Sequence, residues 1–325
     1  MYKYIYLAIT LYGFVSCNSA TKNTSSYIAD TIFINDFNVL FAPDLSNRIN
    51  HTLYPKPVHD SLLLNHILDN IVKLIDLNNR KTNQADIYKF DFINQTILNK
   101  DVCKTENLEI NLVKFENDQI KGTKYLREGI FQDISNFKRN VGSIYQYSLL
   151  NSSGADLWNY LNETINVSRI YKEAKNISPQ PRKEEDPIIL KQYKNVVVLF
   201  TDGYIENANK TRGYFVDSKL IEKIRKNFIN SGEKDLHHFV ISNPEYILNK
   251  TTNDLKGLNV LVLEMIDRSL DINGVAIQHP TDFEIMKIVW EDWLTRSGAE
   301  NVEIHKAVLN KERGFELLKS FMEKL

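Results

Sequence analysis

Val196-Val197-Val198-Leu199-Phe200-Thr201-Asp202-Gly203 is an unbroken apolar run that stops at a hydroxyl, an aspartate and a glycine. A short continuous run rich in β-branched residues and closed by a turn signal reads as a parallel strand buried on both faces. The same pattern stands near the start of the chain, in Asn38-Val39-Leu40-Phe41-Ala42-Pro43-Asp44-Leu45-Ser46-Asn47-Arg48. There too an apolar run ends in an aspartate, and a serine follows shortly after. In open α/β sheets the working groups lie outside the carboxyl ends of the strands, near the point where strand order reverses. Two aspartates so placed, with Ser46 and Thr201 beside them, make an oxygen-donor set of the kind a small hard cation takes.

Around these runs, strand and helix signals alternate. Residues 38–42 are the expected first strand. An amphipathic helix over 57–77 follows, with Leu62, Leu63, His66, Ile67, Ile71, Leu74 and Ile75 at helical spacing. Residues 86–93 and 108–115 are β-rich and suit neighbouring strands. Helices are expected over 123–137, from 156 to 161 and somewhat beyond, over 218–230, over 282–296 with Thr281 as N-cap, and over 311–324. Residues 196–200, 258–266 and 302–309 supply the remaining strands. Such alternation predicts an α/β fold, a three-layer, doubly wound, mostly parallel sheet with helices on both faces. Residues 175–187 carry prolines and a charge run and read as an exposed loop, and 237–256 read as a short hairpin or an irregular excursion. One domain over 36–325 accommodates all of this, with no internal repeat.

The two aspartate loops resemble the metal-ion-dependent adhesion site of von Willebrand factor A-type domains, which joins a DxSxS motif, a distant threonine and a later TDG-like aspartate. Asp44, Ser46 and Asp202 match that pattern, and Arg48 stands where the second serine would be. The threonine's counterpart falls in Ser152-Ser153-Gly154-Ala155-Asp156-Leu157-Trp158. Ala155 takes its place there, so Ser153 or Asp156 is the available oxygen, and Asp156 equally suits a helix N-cap. The resemblance implies a Rossmann-like fold and Mg²⁺ held by Asp44, Ser46, Asp202, Asp156 and waters. It also implies a protein partner that completes the ion's shell with a carboxylate. Arg48, Ser153, Thr201 and His279 then form the partner-binding face. A guanidinium beside a divalent cation is repelled, so Arg48 either pairs with Asp44 or Asp202 and replaces the ion's charge, or points along the loop to solvent. Two other readings are a metal-dependent phosphohydrolase using Asp44 and a metal-free structural scaffold. Against the first, Asp44 is accompanied by no DxD pair and no glycine-rich phosphate loop.

The leader has a separate logic. Lys3 precedes an apolar stretch over 5–15, too short to span a bilayer, and Phe14-Val15-Ser16-Cys17 then reads as a lipobox. Residues 1–16 are the expected signal peptide, Cys17 the lipidated residue and 17–35 a polar tether. A bacterial envelope lipoprotein is implied, attached to the membrane through Cys17 and facing the periplasm or the cell surface. Cys103 is then the remaining cysteine, and no internal disulfide is expected. Lys and Arg total 40 against 41 Asp and Glu, a net charge of −1, and are dispersed rather than striped, which argues against a nucleic-acid partner. His51 and His59 flank Tyr54-Pro55-Lys56-Pro57 and would rim the same face. The pair His237-His238 has no spaced third ligand for zinc. Glu264 and Asp267 suit structural hydrogen bonds, and Trp290 and Trp293 a core.

Overall fold

The computed structural model describes residues 30–77, 84–151, 155–165, 174–180, 183, 186–206 and 215–325. Strands β1 (Thr31–Pro43), β2 (Ile87–Phe90), β3 (Glu109–Asn111), β4 (Lys175–Asn176), β5 (Ile188–Phe200), β6 (Leu258–Met265) and β7 (Asn301–Lys306) form one sheet. Its order is β3-β2-β1-β5-β6-β7, with β4 laid against β5. The central pairings are parallel, and only the short β3 and β4 run antiparallel to their neighbours. The chain winds outward from β1 through β2 to β3, returns to the other side of β1 as β5, and winds outward again. Strand order therefore reverses between β1 and β5, which pair in register from Thr31 and Ile188 to Pro43 and Phe200.

Side chains alternate across a strand, and both faces of this sheet are covered. Phe37, Val39 and Phe41, with Val196, Val198, Phe200, Leu261 and Leu263, face one helical layer. That layer contains α1 (Asp60–Asp69), α2 (Ile71–Ile75), α4 (Ile130–Asn151) and α9 (Lys311–Glu323). Leu40, Ala42, Val197, Leu199, Val260 and Val262 face the other. It is built from α5 (Leu157–Asn159), α6 (Ser218–Ser231), α7 (Leu236–Ile241) and α8 (Asp282–Arg296). Burial on both sides is why these strands read as continuous apolar runs. A polar line crosses the sheet at the level where β6 and β7 begin. The Asn38 amide donates to Asn195 Oδ1 (2.9 Å), that of Asn259 to the Asn195 carbonyl (2.9 Å) and that of Asn301 to Asn259 Oδ1 (2.7 Å). Each amide bond fixes the strand register, because a slip would leave buried polar groups unpaired.

Several boundaries differ from expectation. β1 begins at Thr31, inside the stretch 17–35 expected as a tether, because pairing with β5 extends it backward. The helix expected over 57–77 is two helices, interrupted at Asn70, and Leu62 on its first turn is 54% exposed rather than in the stripe. Of residues 108–115 only Glu109–Asn111 is strand, and a 3₁₀ turn follows at Val113–Phe115. The helix expected over 123–137 runs much further. Helix α3 (Gln119–Lys124) passes through a π turn at Tyr125–Gly129 into α4, which ends at Asn151. Residues 237–256 form an irregular excursion rather than a hairpin, and its start belongs to α7, which Asp235 caps by accepting from the His238 amide. The strand expected to 309 ends at Lys306, while Trp290 and Trp293 are fully buried as expected. No helix among the described residues is long and apolar enough to cross a membrane.

Candidate functional site

The carboxyl ends of β1 and β5 lie side by side, so Asp44 and Asp202 emerge next to each other at the switch point. The Asp44 amide donates to the Phe200 carbonyl at 2.9 Å, which continues the β1–β5 ladder into the loop. Asp44 Oδ1 then accepts from the Ser46 amide at 2.9 Å and folds the chain back into the short turn Asn47–Ile49. Thr201 is fully buried. Its hydroxyl lies 3.3 Å from Asp44 Oδ2 and accepts from the Gly203 amide at 3.2 Å, tying the two loops together. Gly203 has φ +88°, which a side chain would strain, and a Cβ there would meet Met265 at 3.1 Å. Its carbonyl accepts from Trp290 Nε1 at 2.8 Å.

Arg48 decides the character of the site. It is 3% exposed, its Nε lies 3.4 Å from Asp44 Oδ2, and its Nη2 donates to Asp60 and to the Phe200 carbonyl. Nη1 has no hydrogen-bond partner among the described residues. Burial alone would lower the guanidinium's pKa, but Asp60, Asp44 and Asp202 raise it above its ordinary value. Burial likewise opposes charge on Asp60, yet Arg48 and Lys56 hold that carboxyl below the usual range. Lys56 bridges Asp60 and Glu264, whose Oε1 accepts from the Val308 amide at 3.2 Å. Glu264 is fully buried at φ +75°, an uncommon backbone state for a residue with a side chain.

Asp202 is held from the opposite side. Its Oδ1 accepts from the Tyr204 amide at 3.1 Å, and Arg268 Nη2 lies 3.3 Å from Oδ2. Burial and the neighbouring Asp44 push its carboxyl up to about 6, even though Arg48 and Arg268 pull the other way. The Arg268 guanidinium lies 3.6 Å from the centre of the Tyr204 ring and also reaches Glu206 at 3.2 Å. Tyr204 is fixed in turn by donating to Asp282 at 2.6 Å. Together with Ser46, Asn47, Tyr54, Ala155, Leu157 and Ile205, these residues enclose a cavity of about 260 Å³.

Asp44, Ser46, Arg48 and Asp202 thus line one cavity, with Thr201 directly behind it. Asp156 is not part of the lining. Its carboxylate accepts from the Asn159 amide at 2.9 Å and caps α5, so the helix-capping role is the one it performs. His279 is exposed on the loop before α8 and away from the cavity lining. Ser153 and Cys17 lie outside the described residues. The rings of His51 and His59 stack on the loop after β1, and burial lowers both from the usual histidine range. The sequence motifs do not include Arg268, Asp60 or Lys56. Arg268 had a positional signal, since it follows the carboxyl end of β6. Asp60 and Lys56 had none, because a charged residue opening a helix, or in the loop before one, normally faces water.

The described donors do not suit a small hard cation. Arg48 already offsets Asp44, Arg268 offsets Asp202, and Asp156 is engaged elsewhere. No group of three His, Cys, Asp or Glu side chains among the described residues is placed to hold a metal. A divalent ion at this point would have to displace Arg268 and tolerate a buried guanidinium beside it. No protein-family model matches this chain, and no curated protein matches it.

Proposed function

We propose that this chain is a lipid-anchored envelope protein whose domain, similar to von Willebrand factor A-type domains, binds a protein partner through the carboxyl-end cavity without a metal ion. One observation carries the metal-free part. Arg48 is buried between Asp44 and Asp60 at the position of the family's second serine and supplies positive charge where an ion would. The fold supports the orientation. β1 runs about 40 Å at roughly 3.3 Å per residue from Thr31, where the tether joins, to the cavity at its other end. An anchor at Cys17 would therefore display the cavity away from the bilayer.

Phosphohydrolysis has less support, since both oxygens of Asp44 are engaged and the residue is only 4% exposed. A nucleophile needs a free lone pair and an approach path. The test is photo-crosslinking in intact membranes from a probe at Tyr54, with and without EDTA. A discrete protein adduct that persists in EDTA is expected. An adduct that disappears on chelation would restore the ion, and no adduct at all would remove the binding role.

A further inference from the structure

The two arginines of the cavity differ in kind. Arg48 is sealed and shared between two carboxylates. Arg268 comes from the loop after β6, and its side chain is 36% exposed. It sits on the Tyr204 face at 3.6 Å with Asp202 at 3.3 Å and Glu206 at 3.2 Å. Two carboxylates and an aromatic ring around a planar cation are the groups that recognise a guanidinium. Its exposed contacts are individually weak, so an incoming cation can replace it.

Charge sets the sign of the ligand. Among the described residues lining the cavity, Asp44, Asp202 and Glu206 are acidic and Arg48 and Arg268 basic. Outside the lining, Asp60 is answered by both Arg48 and Lys56. The described lining is therefore net negative, which disfavours a carboxylate there and favours an ammonium or guanidinium. The basic side chain of a protein supplies such a cation. At about 260 Å³ the cavity has room for a single side chain. The surface at this end also suits a folded partner. Tyr54 stands at the cavity rim, and the turn after Arg268 exposes Ile272, Val275 and Ile277. Protein interfaces join apolar and aromatic contacts to a few anchoring groups, arginine among them.

We propose that the cavity receives an Arg or Lys side chain from a partner protein, which displaces Arg268 from Asp202, Glu206 and Tyr204. This rests on the partner-binding reading and reverses the ligand charge that an ion-completed site would take. The test titrates acetyl-Gly-Arg-Gly-amide, and its Lys, Gln and Glu counterparts, into wild type, Arg268→Ala and Arg268→Ala/Glu206→Gln/Asp202→Asn by calorimetry. Arg268→Ala is expected to bind the Arg peptide about tenfold more tightly than wild type and to ignore the Gln and Glu peptides. The triple variant is expected to lose that binding. Preference for the Glu peptide, equal binding of all four, or binding of none overturns the proposal, as does a free polyamine that binds as well as the Arg peptide. If the basic peptides fail while a crosslinker at Ile272 still captures a protein in membranes, only the cation inference falls. Failure of that crosslink as well removes the partner-binding reading.

Discussion

Asp202 is the residue at which burial, charge and function meet. Its carboxyl rises from an ordinary 3.8 to about 6 in the folded protein because it is desolvated beside Asp44. A carboxyl with a raised folded pKa binds its proton more tightly when folded, so its contribution to stability falls as pH climbs from about 4 to 6. The cost at neutral pH is about 2–3 kcal/mol. Asp202→Asn should remove it, and urea midpoints of wild type and variant should converge near pH 4 and separate in the variant's favour at pH 7. A variant less stable at every pH would mean that the Arg268 pairing outweighs burial. Arg48 is the complementary case. Arg48→Ser leaves Asp44 and Asp60 without their shared cation and should cost about 3–5 kcal/mol. It also restores the hydroxyl of the DxSxS pattern, so Mg²⁺ should raise the variant's melting temperature and leave wild type unchanged. A response of wild type to Mg²⁺ would return the ion to the site.

At the scale of elements, the loop after β5 holds the site in place. Gly203 turns the chain at φ +88° against Met265, and its carbonyl is pinned by Trp290 of α8. Gly203→Ala should cost about 1–3 kcal/mol through backbone strain and contact with Met265. Equilibrium unfolding in denaturant measures this, and a change under 0.5 kcal/mol, roughly the scatter of ordinary surface substitutions, would show that the turn relaxes freely. Helices α1 and α8 bring their first residues, Asp60 and Asp282, to the carboxyl end of the sheet. There Asp60 meets Arg48, and Asp282 accepts from Tyr204. The charged first turns of these helices thus belong to the site as well as to the helices.

For the whole molecule, Thr31 and the cavity lie at opposite ends of β1. Cys17→Ala should move the protein from the membrane pellet to the soluble fraction, since a diacyl anchor needs that thiol. Retention after a high-salt wash would overturn the lipobox reading. The doubly wound sheet and the adjacency of Asp44 and Asp202 were legible in the sequence, because a strand buried on both faces must be continuously apolar and a chain that leaves it must turn at its carboxyl end. The run Val196 to Phe200 carries that information locally. The interruption at Asn70, the reach of α4 to Asn151 and the short β3 were not legible, because tertiary packing overrides propensity at element ends. The electrostatics of the site lay furthest from view. Arg48 could be seen to replace a serine, but whether it faces solvent or carboxylates depends on Asp60, which only the packing of α1 brings to it. Arg268 reaches Asp202 only through the parallel pairing of β5 and β6. Sequence order determined the strands and the two aspartates, whereas the offsetting charges come from distant segments whose meeting is a property of the folded sheet alone.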